Sequence, residues 1–326
     1  MPPDLVPTAY GRPALEALAR AVAAAKRGDP LAPVTVIVPA NHVGVTGRRA
    51  LASGSLGQLS AGGSGVAAVT FLTVYRLAEL LGAPRLAAEG RRPVSTPVLA
   101  AALRRALRDD AGMFAPVAQH PATEAALVAA FGELSDVSPA GLDALATVGR
   151  RARDVVRLCR RARSVLRDGW YDEADLTDAA IAAARSDPGR VARELGHVVV
   201  YLPQDLLQRQ ARLVAAVAEA CPATVVPGLS GVERADAGVR RSLARFGAVL
   251  PDISHVARLR AHGATRVLTA SDADDEVRAA VRAVVDAARA GTPLERIAIL
   301  FGAREPYGRL VHEHLAAADI PRNGAA

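Results

Sequence analysis

The sequence predicts an α/β fold: a parallel sheet covered by helices and interrupted by an all-helical insertion. Three observations predict it. Residues 34–38 read Val-Thr-Val-Ile-Val, five β-branched residues in a row that stop at Pro39. Such a run suits a strand buried on both faces, as a parallel sheet requires, and a proline without an N–H ends the ladder. Strand-like and helix-like segments alternate up to about residue 93, which implies pairing through helical crossovers. From 94 to 192 only helical periodicity remains, and apolar β-branched runs return at 198–202.

The elements follow in order. Leu15, Leu18, Ala19 and Val22 recur at helical spacing over 11–27, with Pro13 in the first turn and Gly28-Asp29-Pro30 as the stop. After the strand 34–38, Asn41 and Gly44 read as a turn that brings Arg48 and Arg49 to the start of an alanine-rich helix. Residues 53–65 read as a glycine- and serine-rich loop. A second buried strand is expected at 66–71, leading into a helix over 74–81 that ends at Gly82. Helices are expected at 98–107, 123–134 with Thr123 as N-cap, 139–148 with Ser138 as N-cap, and 150–166. Asp172 to Leu176 opens another, with acids at its positive end.

Strands are expected at 198–202 and 223–227, with a helix over 206–218 between them. Residues 240–246 and 253–261 look helical within a partly exposed connector. A strand at 265–269, a helix over 272–290 opened by acids, a strand at 297–301 and a helix over 307–318 complete the chain. The last residues, Ile320 to Ala326, read as if another strand were about to begin. These shifts divide the sequence into 1–93, 94–192, 193–264 and 265–326.

The 326 residues allow two or three domains with ample burial. No apolar run reaches the roughly 18 to 20 residues of a membrane span, and no signal peptide opens the chain; a cytoplasmic location is the expectation. Cys159 and Cys221 are far apart in sequence, in no metal-binding spacing, and read as buried thiols. The formal charge is +7, and Lys26 is the only lysine, so the positive charge is nearly all arginine. That points weakly to a polyanion such as DNA.

Several chemistries are excluded. A phosphate-binding GxxxxGK[ST] loop needs a lysine and a following hydroxyl, yet Lys26 is followed by Arg27 and has no glycine loop before it. A PD-(D/E)xK nuclease site needs an acid two residues before a lysine, and Ala24 stands there. Gly63-Ser64-Gly65 precedes a strand, whereas a dinucleotide loop follows one. Ser230 lacks the second glycine of a nucleophile elbow. His312 and His314 are two apart on a helix and face different ways. Arg48 and Arg49 are different: beyond a central strand of a parallel sheet they could hold a phosphate backbone.

The order of elements resembles a known family. Val34–Leu51, Ala68–Ala78, Gly169–Leu176, Thr265–Ala290 and Glu295–Asn323 are similar to successive segments of the B subunits of AddAB-type helicase-nucleases. The resemblance implies a superfamily 1, UvrD-like fold. Residues 1–93 and 193–264 would form a RecA-like domain, 94–192 its helical insertion, and 265–326 the start of a second RecA-like domain. It also implies processing of double-strand DNA ends for recombination repair, with a nuclease domain beyond residue 326. By the same resemblance Asn41, His42, Arg48, Arg49, Thr70 and Arg76 lie where such helicases touch single-stranded DNA. The implied partners are single-stranded or end-of-duplex DNA and a motor subunit that would carry the ATP and Mg. In this chain the ATP positions depart from the pattern: only Gly11 suggests a phosphate loop, and Leu202 and Pro203 stand where acids would end a strand. Arg304 lies near Gly302 but out of register. An α/β enzyme or small-molecule binder with merely compositional charge is the competing expectation.

Overall fold

The computed structural model describes residues 3–54, 56, 66–250 and 266–324. The chain forms two compact units, Met1–Leu259 and Arg260–Ala326. The first begins with β1 (Asp4–Leu5), β2 (Thr8–Ala9), α1 (Arg12–Ala25), β3 (Val34–Val38), α2 (Asn41–Ala52), β4 (Val69–Thr73) and α3 (Val74–Ala88). Next come β5 (Arg92–Pro93), α4 (Thr96–Asp109), α5 (Pro121–Leu134), α6 (Pro139–Thr147), α7 (Arg150–Leu166) and β6 (Trp170–Tyr171). Then follow α8 (Glu173–Ser186), α9 (Pro188–Leu195), β7 (His197–Tyr201), α10 (Gln208–Ala220), β8 (Ala223–Val226), β9 (Gly228–Leu229) and α11 (Glu233–Arg245). The second unit contains α12 (Ala273–Arg289) and α13 (Tyr307–Ala317).

The main sheet has the order β1-β8-β7-β3-β4, and every neighbouring pair is parallel. All five residues of β3 are buried, as its β-branched run requires. Leu18 of α1 and Leu51 of α2 share a core with Val34, Val36 and Val38 on one face. Leu77 and Leu81 of α3, Ala180 of α8 and Leu213 of α10 fill the other face with Ile37, Val198 and Val200. The connection from β3 through α2 to β4 runs one way along the sheet; that from β7 through α10 to β8 runs the other. Right-handed crossovers in opposite directions put their helices on opposite faces. Adjacent β3 and β7 therefore form a switch point, and ligands of parallel α/β sheets bind at the strand C-termini there.

Three local expectations give way to tertiary contacts. The second strand lies at 69–73 rather than 66–71, because its register is set against β3, Val34 opposite Val69 through Val38 opposite Thr73. It is an edge strand with Thr70 exposed, so it is not buried on both faces. Residues 41–47 are helical rather than a turn: Gly44 and Gly47 lie on the buried face, where added Cβ atoms would meet Phe71 Cβ at 3.3 Å and Phe71 Cε1 at 3.1 Å. And α3 continues through Gly82 and Pro84 to Ala88 instead of stopping, because Leu81, Gly82 and Leu86 are buried against the core.

Within the helical stretch, Leu103, Leu127, Phe131, Leu158 and Leu166 build a core belonging to α4, α5 and α7. Strands β5 and β6 close its base, Arg92 opposite Trp170 and Pro93 opposite Tyr171. Helices α8 and α9 instead share the sheet's core through Leu176, Ile181, Val191 and Leu195. Ser138 caps α6 and Asp172 caps α8. For α5 the cap is His120, not Thr123: its Nδ1 accepts from the Ala122 N–H at 3.1 Å and Pro121 takes the first helical position. The insertion is clamped to α10. The Asp136 carboxylate accepts from the Gln208 and Arg209 N–H groups at 3.1 and 3.2 Å, and Arg209 also pairs with Asp178.

In the second unit Asp272 caps α12, accepting from the Asp275 N–H at 2.9 Å, and Val277 and Val281 pack on Leu310, Val311 and Leu315. The described residues of the two expected strands, 266–269 and 297–301, have no ladder partner among the described residues; Val267 is 90% and Leu300 93% exposed. β-branched composition supplies propensity, but a neighbouring strand must supply the hydrogen bonds. The expected helix 253–261 and most of the loop 53–65 lie outside the described residues. No helix among the described residues is long and apolar enough to cross a membrane.

Candidate nucleic-acid interface

The C-terminal edge of the sheet gathers the ends of β3, β4 and β7. After β3, Pro39 and Ala40 lead into α2, whose N-cap Ala40 supplies no side-chain hydrogen bond. Asn41 and His42 occupy the first turn of α2. Both are exposed, and neither side chain has a hydrogen-bond partner among the described residues. Uncapped N–H groups and the positive end of the helix dipole favour an anion there. At the end of β4 the Thr73 hydroxyl accepts from the Arg76 N–H at 3.3 Å and caps α3. Arg76 thus stands in the first turn of α3, with its guanidinium paired to Glu79 and 63% exposed.

The other three expected contacts lie elsewhere. Because α2 starts at Asn41, Arg48 and Arg49 are near its end, not at a helix start. Seven residues at 1.5 Å each carry Arg48 about 10 Å along the axis from Asn41. Its guanidinium sits over the Phe71 ring, 5.6 Å from the centroid, and Arg49 is exposed in the last turn. Thr70 is three residues back from the end of β4, about 10 Å at strand rise, in register with Thr35. The six residues therefore form an edge group, Asn41, His42 and Arg76, and a flank group, Arg48, Arg49 and Thr70.

The position before α1 is closed. β2 pairs with β9, Thr8 opposite Gly228, and only Tyr10 and Gly11 separate β2 from α1. A phosphate loop needs several backbone N–H groups turned inward at that point. Instead the Tyr10 ring lies against Gly228, where an added Cβ would be 2.5 Å from Tyr10 Cε1 and 2.6 Å from Leu202 Cδ2. The Gln204 amide reaches the Tyr10 hydroxyl at 3.4 Å. Leu202 was singled out in the sequence only for the acid it replaces, and Tyr10, Gln204 and Gly228 were not part of the expected site; the signal was Gly228 just after a strand-ending proline, meaningful only once Tyr10 is known to face it.

The remaining reactive groups are structural. Lys26 is at the far end of α1 from Gly11, and its Nζ donates to the carbonyls of Pro30 and Ala32 at 3.0 and 2.6 Å; burial pushes its pKa down. Burial pushes the Cys159 and Cys221 thiols up to about 11, so both stay protonated and unreactive. The Ser230 hydroxyl donates to buried Asp236 at 2.8 Å and closes a turn before α11. His314 bonds Asp274 while Arg322 donates to His312, so the two histidines serve different partners. Among the described residues no three His, Cys, Asp or Glu side chains converge as metal ligands. No protein-family model matches the chain, and no curated protein matches it.

Proposed function

We infer that this chain is the helicase-like, DNA-binding part of a helicase-nuclease that processes double-strand breaks, and that it hydrolyses no ATP itself. The reading treats the sheet unit as a degenerate RecA-like domain carrying a helical insertion, and Arg260–Ala326 as belonging to a second one. One observation carries it: at the binding edge of a parallel sheet, Tyr10 and Leu202 close on Gly228 where a nucleotide phosphate would sit, while beside it Asn41 and His42 are exposed without side-chain partners among the described residues and Arg76, paired to Glu79, faces solvent. The segments that resemble AddAB-type B subunits support the same reading. ATP and Mg would belong to a partner motor subunit.

The test is anisotropy of a labelled single-stranded oligonucleotide across a salt series, with ATP turnover measured in parallel. Each phosphate contact contributes about 0.7 to the log–log salt slope on single strands. Binding with a steep slope that shallows in Arg76→Ala, without ATP hydrolysis, is expected. Absence of binding at low salt refutes the DNA half. ATP turnover that co-purifies with the chain and rises in Tyr10→Gly refutes the scaffold half.

A further inference from the structure

On the helical insertion, α5, α6 and α7 enclose an apolar trough of about 560 Å³. Its floor is Ala130 and Leu134 of α5, Leu145 of α6, Val148 just after it, and Ala152 and Val155 of α7. The trough lies open to solvent: Val148 is 77% exposed, high for a large apolar side chain. Arg150 and Arg151 line it too, in the first turn of α7. Cations are unfavourable at that end of a helix, and here Gly149 provides no side-chain cap and the first turn holds no acid. Neither arginine forms an ion pair among the described residues, in contrast to Arg157, Arg160, Arg161 and Arg163 of the same helix, each of which does. The nearest acid in sequence, Asp154, is hydrogen-bonded to the Met113 N–H and Arg157 and feels Arg150 only through a longer-range attraction. Glu133 is the one acid in the lining, so two arginines stand against one glutamate.

We propose that this trough docks an acidic amphipathic helix of a partner protein. The apolar stripe enters between Leu134, Leu145 and Val148, and the acidic turn lies against Arg150, Arg151 and the open start of α7. An apolar trough with small residues at Ala130 and Ala152 accepts side chains at helical i, i+3, i+4 and i+7 spacing. Its openness suits a helix face better than a small molecule that must be enclosed. The two arginines, neither in an ion pair among the described residues, set the sign of the partner, since like charges at a contact oppose binding. The inference stands apart from the DNA reading, because its contacts lie on the insertion and not at the sheet edge.

The probe is a labelled synthetic helix with leucines along one stripe and glutamates in its last turn, titrated into the full chain by anisotropy. Saturable binding is expected. It should weaken by about 10-fold or more with Arg150→Glu and Arg151→Glu together, and be lost in Val148→Asp, an exposed position whose change leaves the circular dichroism melt intact. A peptide with lysines replacing the glutamates should bind about 10-fold more weakly. Equal binding of the two peptides, no binding, or binding unaffected by Val148→Asp overturns the proposal. So does displacement of the peptide by a single-stranded oligonucleotide, which would assign the arginines to DNA. Tighter binding of dodecanoate than of the peptide would assign the trough to a lipid carboxylate and equally overturn it. Failure of the sheet-edge variants to affect DNA has no bearing on this outcome.

Discussion

Replacing Gly82 by alanine should destabilise the first unit even though alanine is the better helix former. Gly82 lies inside α3 where that helix crosses α8. An added Cβ would be 2.5 Å from the Leu176 carbonyl oxygen and 2.8 Å from the Ala180 nitrogen. Both are backbone atoms of a packed helix, so neither can swing aside. The helices must part instead, loosening Leu77, Leu81 and Leu176, each at most 1% exposed. Overpacking of this kind costs about 1–3 kcal/mol, against a propensity gain of about 1 kcal/mol for alanine over glycine. Because both close atoms are backbone, the cost falls in the upper part of that range and the packing term wins by up to about 2 kcal/mol, which for a unit of this size lowers Tm by up to about 8 °C. Gly132 provides the control. It sits exposed in α5 with nothing within 4 Å of its Cβ position, so Gly132→Ala should stabilise by a fraction of about 1 kcal/mol. Thermal and urea melts followed by circular dichroism read both variants. If Gly82→Ala melts at or above the parent while Gly132→Ala behaves as expected, the close crossing of α3 and α8 is refuted.

Three further outcomes are expected. Asp136→Ala removes the carboxylate that caps α10 from the insertion and should cost about 0.5–2 kcal/mol in a urea melt, whereas Asp136→Asn, which keeps one acceptor oxygen but sets an amide NH2 against the second N–H, should retain only part of it. Lys26→Ala strips the carbonyls of Pro30 and Ala32 of their donor and should cost about 1–3 kcal/mol; an unchanged urea midpoint would mean that the turn finds another donor. The third concerns pH. Burial lowers the His197 pKa in the folded chain, with Asp4 opposing, and its Nε2 bonds the Thr224 hydroxyl at 2.9 Å. The unfolded state, with a pKa of about 6.5, therefore binds the proton first. Stability is complete above that value and falls as pH drops below it, by at most about 1.4 kcal/mol per pH unit from this group. His197→Gln should flatten that part of the profile, and an identical slope in parent and variant would exclude His197 as its source.

What the sequence determined by itself was whatever depends on neighbours within a few residues. The run at 34–38 was readable as a buried strand because five β-branched residues can satisfy both faces of a sheet. Ser138 was readable as a cap, and the acids from Asp172 and from Asp272 as helix starts, because each of these side chains bonds an N–H three residues on. The absence of a phosphate loop was readable because that chemistry needs a lysine and this chain has one, in the wrong place. Tertiary structure decided the rest. Gly44, Gly47 and Gly82 look like breaks in a helix until a second element arrives close enough to need the missing side chain. The runs at 266–269 and 297–301 have the composition of strands, but a ladder requires a partner that no local pattern supplies. The same limit governed the candidate interface. Spacing placed Asn41, His42, Arg48 and Arg49 in one segment, but the helix formed by 41–52 keeps the first two at the sheet edge and carries the arginines about 10 Å away. Tyr10 and Gly228, 218 residues apart, meet because β2 pairs with β9; that contact exists only in three dimensions.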